Sequence, residues 1–207
     1  LMTVFFYSIY MFPAYAELHC LTNFSFQRGA SHPEELVARA AEYGYAALAI
    51  TDECSLAGVV RAHRALRDLP PESVPKLIVG SEIQLADGPC LVLLATSRDA
   101  YGQLSRLIST ARRAAAKGEY RIDRSSFEAA AADRLSGCLA LLVPPPGLAD
   151  ADALLAEAQW LAGLFPQRGW MAVSVVFDGR DRARLTLLRR IARTAGLPVV
   201  AATGALM

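Results

Sequence analysis

No C-x-x-C pair occurs among the four cysteines, Cys20, Cys54, Cys90 and Cys138. Their wide spacing supports neither a disulfide framework nor a zinc ribbon, and a reducing cytoplasm is the compartment it fits. An excess of charge of either sign is also missing, with 21 Lys and Arg against 20 Asp and Glu. A chain whose main task is to wrap nucleic acid carries a clear basic surplus, so this balance argues against that class. Residues 1–16 carry no charge, yet they fall short of the ~20 apolar residues a spanning helix needs and lack the basic n-region of a secretory signal. Residues 1–10 are therefore expected to be upstream read-through or a disordered extension, with translation starting at Met11, and no membrane segment is expected. Internal repeats and low-complexity tracts are absent as well.

What is present suits one sizeable core. Over 207 residues, 54% are apolar, enough for a single domain spanning residues 11–207. The stretch Y-A-E-L-H-C-L-T-N-F-S-F-Q-R-G, residues 15–29, reads as a short strand and a loop. Alternation places Glu17 and His19 on one strand face, about 7 Å apart. An acid and an imidazole at a strand end, before a loop and a helix, suit chemistry at the mouth of a barrel. The plainer alternative is a polar strand face.

Further along, Ser31 and Glu34 fit a capping box with Pro33 in the first turn, which predicts a helix over residues 35–43 with His32 in its cap region. A-A-L-A-I, residues 46–50, is a buried strand with Thr51, Asp52 and Glu53 at its C-terminal end, and a helix over residues 57–69 follows. K-L-I-V-G, residues 76–80, is another strand with Ser81 and Glu82 at its end. Strands are predicted at residues 91–95, 138–143, 170–177 and 197–202, and helices at 101–116, 125–132, 150–165 and 181–195. Arg106, Arg112, Arg113 and Lys117 read as a solvated helix face, and the arginines of 181–195 as the outer face of theirs. Strand and helix alternate throughout, so the fold class is α/β, with parallel strands and right-handed crossovers in a barrel or an open sheet. An end just past a buried strand suggests a piece of a longer chain.

Four blocks of the sequence, in order, resemble a known family. They are residues 15–36, residues 47–63 (A-L-A-I-T-D-E-C-S-L-A-G-V-V-R-A-H), residues 77–82 (L-I-V-G-S-E) and residues 91–109 (L-V-L-L-A-T through Y-G-Q-L-S-R-L-I-S). Together they resemble the polymerase-and-histidinol-phosphatase (PHP) domain of bacterial C-family DNA polymerases, in wording closest to the error-prone, damage-inducible branch. The resemblance implies a distorted, TIM-like (β/α)7 PHP barrel. It also implies DNA and deoxynucleotides as partners of a full-length enzyme, with a sliding clamp, mutagenesis accessory proteins, and Mg2+ at a polymerase palm that this chain lacks.

In the family the barrel can hold a metal cluster, and the resemblance places its ligand positions on this chain. His19 keeps the first imidazole, but Leu21 stands at the second. Glu53 replaces an imidazole after Thr51 and Asp52, Glu82 is retained, and Cys90 takes the place of a histidine. Pro144, Gly204 and Leu206 stand where a Cys, an Asp and a His belong. A cluster needs several donors converging on each ion, and leucine, proline and glycine side chains offer none. The expectation is a vestigial site of Glu17, His19, Asp52, Glu53, Glu82 and Cys90 with no catalytic residue and no cofactor, His19, Glu53, Glu82 and Cys90 being weak single-ion candidates. Glu17, Glu53 and Glu82 facing one another would repel, so Arg28 is expected to serve as an internal counter-ion. The alternative is an active metal-dependent phosphoesterase or 3′-5′ exonuclease.

Overall fold

Apolar runs of four to six residues, separated by amphipathic helices, wind into one curved sheet. The structure is a computed structural model that describes residues 14–147 and 150–206; the expected read-through and the Met11 start lie outside them. In chain order the elements are β1 (Ala16–Glu17), β2 (Cys20–Leu21), α1 (Pro33–Glu42), β3 (Ala47–Ile50), α2 (Ala57–Leu66), β4 (Lys76–Gln84) and β5 (Cys90–Ala95). There follow α3 (Arg98–Arg113), α4 (Arg124–Arg134), β6 (Cys138–Val143), α5 (Ala151–Leu164), β7 (Gly169–Val173), α6 (Asp181–Ala195), β8 (Val199–Ala201) and β9 (Ala205–Leu206). Seven strands form one sheet in the order β1-β3-β4-β5-β6-β7-β8, and β2 pairs with β9 in parallel. The β2–β9 pair joins the two ends of the sheet, so the sheet is nearly closed into the expected distorted barrel.

Both sheet faces are covered, which is why the strands read as continuous apolar runs rather than alternating ones. Ala49, Val92, Leu94, Leu141, Ala172 and Ala202 pack together inside the barrel. Alternate residues of the same strands, among them Leu91, Leu93, Leu142 and Met171, pack outward under α3–α6. By that alternation, Cys90 shares the inner side with Val92 and Leu94, and Ser174 extends the inner side of β7.

Several sequence expectations are corrected. The sheet is mostly parallel, but β5 runs antiparallel to both β4 and β6. Only residues 85–89 separate β4 from β5, too few for a crossover, and the turn through Asp87, Gly88 and Pro89 closes a hairpin. That hairpin extends β4 four residues past Gly80, so Glu82 lies within the strand, opposite Val92. The first strand breaks in two, because the His19 amide donates to the Glu17 carboxylate at 2.9 Å instead of continuing the ladder. The cap of α1 is His32, and its amide donates to Glu35 at 2.7 Å. Glu35, not Glu34, is therefore the acid of the box, and Glu34 pairs with Arg61 of α2 at 2.6 Å. Strand β7 stops at Val173, leaving Val176 and Phe177 exposed.

Candidate functional site

At the mouth of the barrel lies a cleft of about 640 Å³. It sits where such folds keep their chemistry, at the C-terminal ends of the parallel strands. Glu53 follows β3, Pro144 follows β6 and Ser174 follows β7, and all three line it. Because β5 is reversed, its first residue, Cys90, reaches the same mouth. His19, Leu21, Glu82 and Gly204, four more positions that the family resemblance singled out, line it as well.

Two expected members are elsewhere. Glu17 is buried and does not line the cleft; it accepts from the Tyr15 hydroxyl at 2.9 Å and from the Thr203 amide at 3.1 Å, with the Thr203 hydroxyl beside it. It therefore joins β1 to the segment after β8, and it does not face Glu53 and Glu82. Asp52 is fully buried below the cleft. It accepts from the Thr22 amide at 2.8 Å and the Ser25 hydroxyl at 2.7 Å. The Glu53 amide in turn donates to that hydroxyl at 2.9 Å. Asp52 thus fastens the loop after β2 to the end of β3, and that loop carries Arg28.

The loop is compact. The amides of Arg28 and Gly29 both donate to the Ser25 carbonyl at 3.0 Å. A Cβ at Gly29 would stand 2.0 Å from the Thr22 carbonyl oxygen, so no side chain fits there. This geometry delivers the Arg28 guanidinium between two carboxylates. Nη1 donates to Glu53 Oε2 at 2.8 Å and to Glu82 Oε1, and Nη2 lies 3.4 Å from Glu82 Oε2. His19 Nε2 lies 2.6 Å from that same oxygen. Burial alone would push the Glu82 carboxyl up, but the hydrogen bonds from His19 and Arg28 prevail and hold it below the usual carboxylate range. The hydrogen bond to Glu82 raises the Arg28 guanidinium further, against the opposing effect of its own burial.

Three neighbours of this network escaped the sequence. The Tyr120 hydroxyl donates to Glu53 Oε1 at 2.9 Å and accepts from the Gln84 amide at 3.0 Å. Burial above all pushes the Tyr120 phenol up, so it stays a donor. Arg112, expected on a solvated face, instead points inward, donating to the carbonyls of Glu53 and Cys54 at 3.1 Å each. Arg184, expected on the outer face of α6, is buried and lines the cleft. A tyrosine and two arginines in amphipathic segments carry no pattern that marks them as inward.

Donor atoms for a metal cluster are few at this mouth. Among the described residues no group of three or more His, Cys, Asp or Glu side chains is placed to hold an ion. Burial first, and Glu82 next, push the Cys90 thiol up, away from the thiolate a metal binds. Leu21, Pro144 and Gly204 supply no donor atom, and the positive charge between Glu53 and Glu82 is already that of Arg28.

A family model described as PHP domain matches residues 17–171. The error-prone DNA polymerase of Aromatoleum aromaticum is 60% identical over 194 residues, covering 93% of this chain and 18% of that protein. The error-prone DNA polymerase of Methylococcus capsulatus is 52% identical over 187 residues, covering 90% of this chain and 17% of that protein. The chain thus spans less than a fifth of these curated relatives. Among solved structures, a candidate metal-dependent phosphoesterase from Bifidobacterium adolescentis superposes with a TM-score of 0.62 at 18% identity, covering 94% of this chain and 88% of that one. An amidohydrolase from Chromobacterium violaceum gives 0.61 at 17% identity, covering 93% and 88%. These two likenesses concern the fold.

Proposed function

Because this chain belongs to the PHP domain family, we propose that it is the PHP domain of an error-prone DNA polymerase, in which ion pairs have replaced the metal cluster and left a scaffold. The names and identities of the curated relatives support the polymerase assignment. The observation that carries the scaffold reading is the Arg28 guanidinium seated between Glu53 and Glu82. A divalent ion on these carboxylates would have to expel a cation that already makes charge-assisted hydrogen bonds there. Without a bound ion to acidify a water, the cleft lacks the metal-activated hydroxide that metal-dependent phosphoester hydrolysis uses near neutral pH.

In this reading the chemistry belongs to the longer protein. It transfers nucleotides with Mg2+ at its palm, works on DNA and deoxynucleotides in the cytoplasm, and serves damage-induced mutagenesis and translesion synthesis. The sliding clamp and mutagenesis accessory proteins are its partners.

Metal analysis after purification, paired with a phosphoester hydrolysis assay in Mn2+ or Zn2+, tests the scaffold. The expected result is metal far below stoichiometric and no hydrolysis above the metal-only blank. Stoichiometric metal, with hydrolysis abolished by Glu82→Gln, would instead establish a metal-dependent phosphoesterase or 3′-5′ exonuclease.

A further inference from the structure

A net charge near zero conceals an uneven distribution. Residues 158–207 hold seven arginines and two acids, Asp178 and Asp181, whereas residues 1–157 hold 14 Lys and Arg against 18 Asp and Glu. A basic C-terminal part on an acidic remainder points to a polyanionic partner for the basic part.

The excess lies on one helix face. Within α6, Arg184 is buried, while Arg182, Arg189, Arg190 and Arg193 are exposed. At 3.6 residues per turn, Arg182, Arg189 and Arg193 fall within about 40° of one another, with Arg190 at the edge of the same face. Leu188, Ile191 and Ala192 lie on the other side and pack into the core. Among the described residues none of the four exposed arginines makes an ion pair. Arg189 and Arg193 are like charges four residues apart, which destabilises the helix that carries them. An ordinary solvated face mixes signs, as α1 does with Glu34, Glu35, Arg39 and Glu42.

The surroundings of the row narrow the partner. Thr186 and Thr194 share this side of the helix, and both turn their hydroxyls back, donating to the carbonyls of Arg182 at 2.8 Å and Arg190 at 3.1 Å. Guanidinium groups and small side chains are what remains to meet a partner, along shallow grooves. α6 contains no aromatic residue, so this face lacks the stacking platforms that hold unpaired bases. Its apolar side is covered by the barrel and cannot be laid into lipid. The row from Arg182 to Arg193 spans about 16.5 Å at 1.5 Å per residue. One strand of a duplex carries a charge every ~3.4 Å of axis, so the row matches about five phosphates.

We propose that the outer face of α6 docks on the phosphate backbone of double-stranded DNA. Contacts of this kind fix position and carry no base information. The surface deepens the polymerase reading, on which the choice of DNA over RNA rests. It lies on the outer wall of the barrel, apart from the cleft at the mouth.

Fluorescence anisotropy of the protein with a labelled DNA duplex of mixed sequence, from about 50 to 200 mM NaCl, tests the surface. Saturable binding is expected, with log affinity falling against log salt at a slope of about −3. Combining Arg189→Gln with Arg193→Gln should weaken binding at least tenfold at the lowest salt and make the slope shallower by about 2. Arg106→Gln with Arg113→Gln removes the same charge from the exposed side of α3 and should change neither. A duplex of unrelated sequence should bind equally well. Absence of saturable binding overturns the proposal, as does an unchanged slope in the α6 variant or equal weakening in the α3 variant. Polyglutamate that competes as well as the duplex at equal charge would assign the face to an acidic protein and overturn it too. Tighter binding of duplex RNA would overturn the choice of DNA, and with it the support drawn from the polymerase reading, whereas loss of all binding removes the surface alone. If the α6 double variant does not fold, Arg182→Gln carries the comparison with a slope shallower by about 1; an unchanged slope there counts against the surface.

Discussion

Arg28 is the residue on which the candidate site turns. Its side chain is 39% exposed, whereas that of Glu82 is 2% exposed. Truncation therefore exposes nothing new on the arginine side but leaves a buried carboxylate with His19 as its remaining ion-pair partner among the described residues. Breaking a buried pair costs about 3–5 kcal/mol and an exposed one under about 1, so Arg28→Ala should lose about 2 kcal/mol in urea denaturation at pH 7. A midpoint matching the wild type would sink the network. The sign of the pH dependence follows from Glu82, whose folded pKa lies below its ordinary value of 4.5. Its contribution is fully present above that value and fades as pH falls through the depressed one. Stability measured between pH 6 and pH 3 should therefore fall more steeply in the wild type than in Arg28→Ala. Much of this was legible in the sequence: the Glu after Thr51 and Asp52, the retained Glu82 and the arginine in the first loop suffice to suggest charge compensation. What could not be read was that Glu17 faces away, because a strand broken at His19 defeats the period-two rule that put both on one face.

At the scale of elements, two devices hold the mouth in shape. The loop after β2 reaches Arg28 only because Gly29 presses against the Thr22 carbonyl oxygen, where a Cβ would sit at 2.0 Å. Gly29→Ala should push the loop out and cost about 1–3 kcal/mol, and it should remove most of the further effect of Arg28→Ala in the double variant. Additive losses would mean the two act separately. The second device is Glu17, whose carboxylate takes the Thr203 amide across the seam between β1 and β8. Glu17→Ala should speed amide exchange at Val200 and Ala202 while leaving β4–β6 protected; uniform acceleration would mean a global effect instead. The strand runs and the order of elements were readable, since buried strands announce themselves as apolar stretches. Direction was not read correctly for β5, because with strands taken at 76–80 and 91–95 the link spans residues 81–90, and only the extension of β4 to Gln84 shortens it to a five-residue turn.

Across the whole molecule, no helix among the described residues is long and apolar enough to cross a membrane. The chain covers 18% of the Aromatoleum aromaticum relative, and it leaves Phe26 and Phe177 largely exposed, at 85% and 89%. The ring has a seam that joins residues 186 positions apart, Glu17 to Thr203. Contacts so distant in sequence form late, because loop closure must be completed before they add stability. The β4–β5 hairpin, by contrast, needs only its own five-residue turn. During synthesis the middle of the chain should thus acquire structure while β1 has only β3 beside it and β2 waits for β9 to leave the ribosome. Nascent chains stalled before residue 199 should be cut by protease near the first strands, and those stalled well beyond residue 206 should resist.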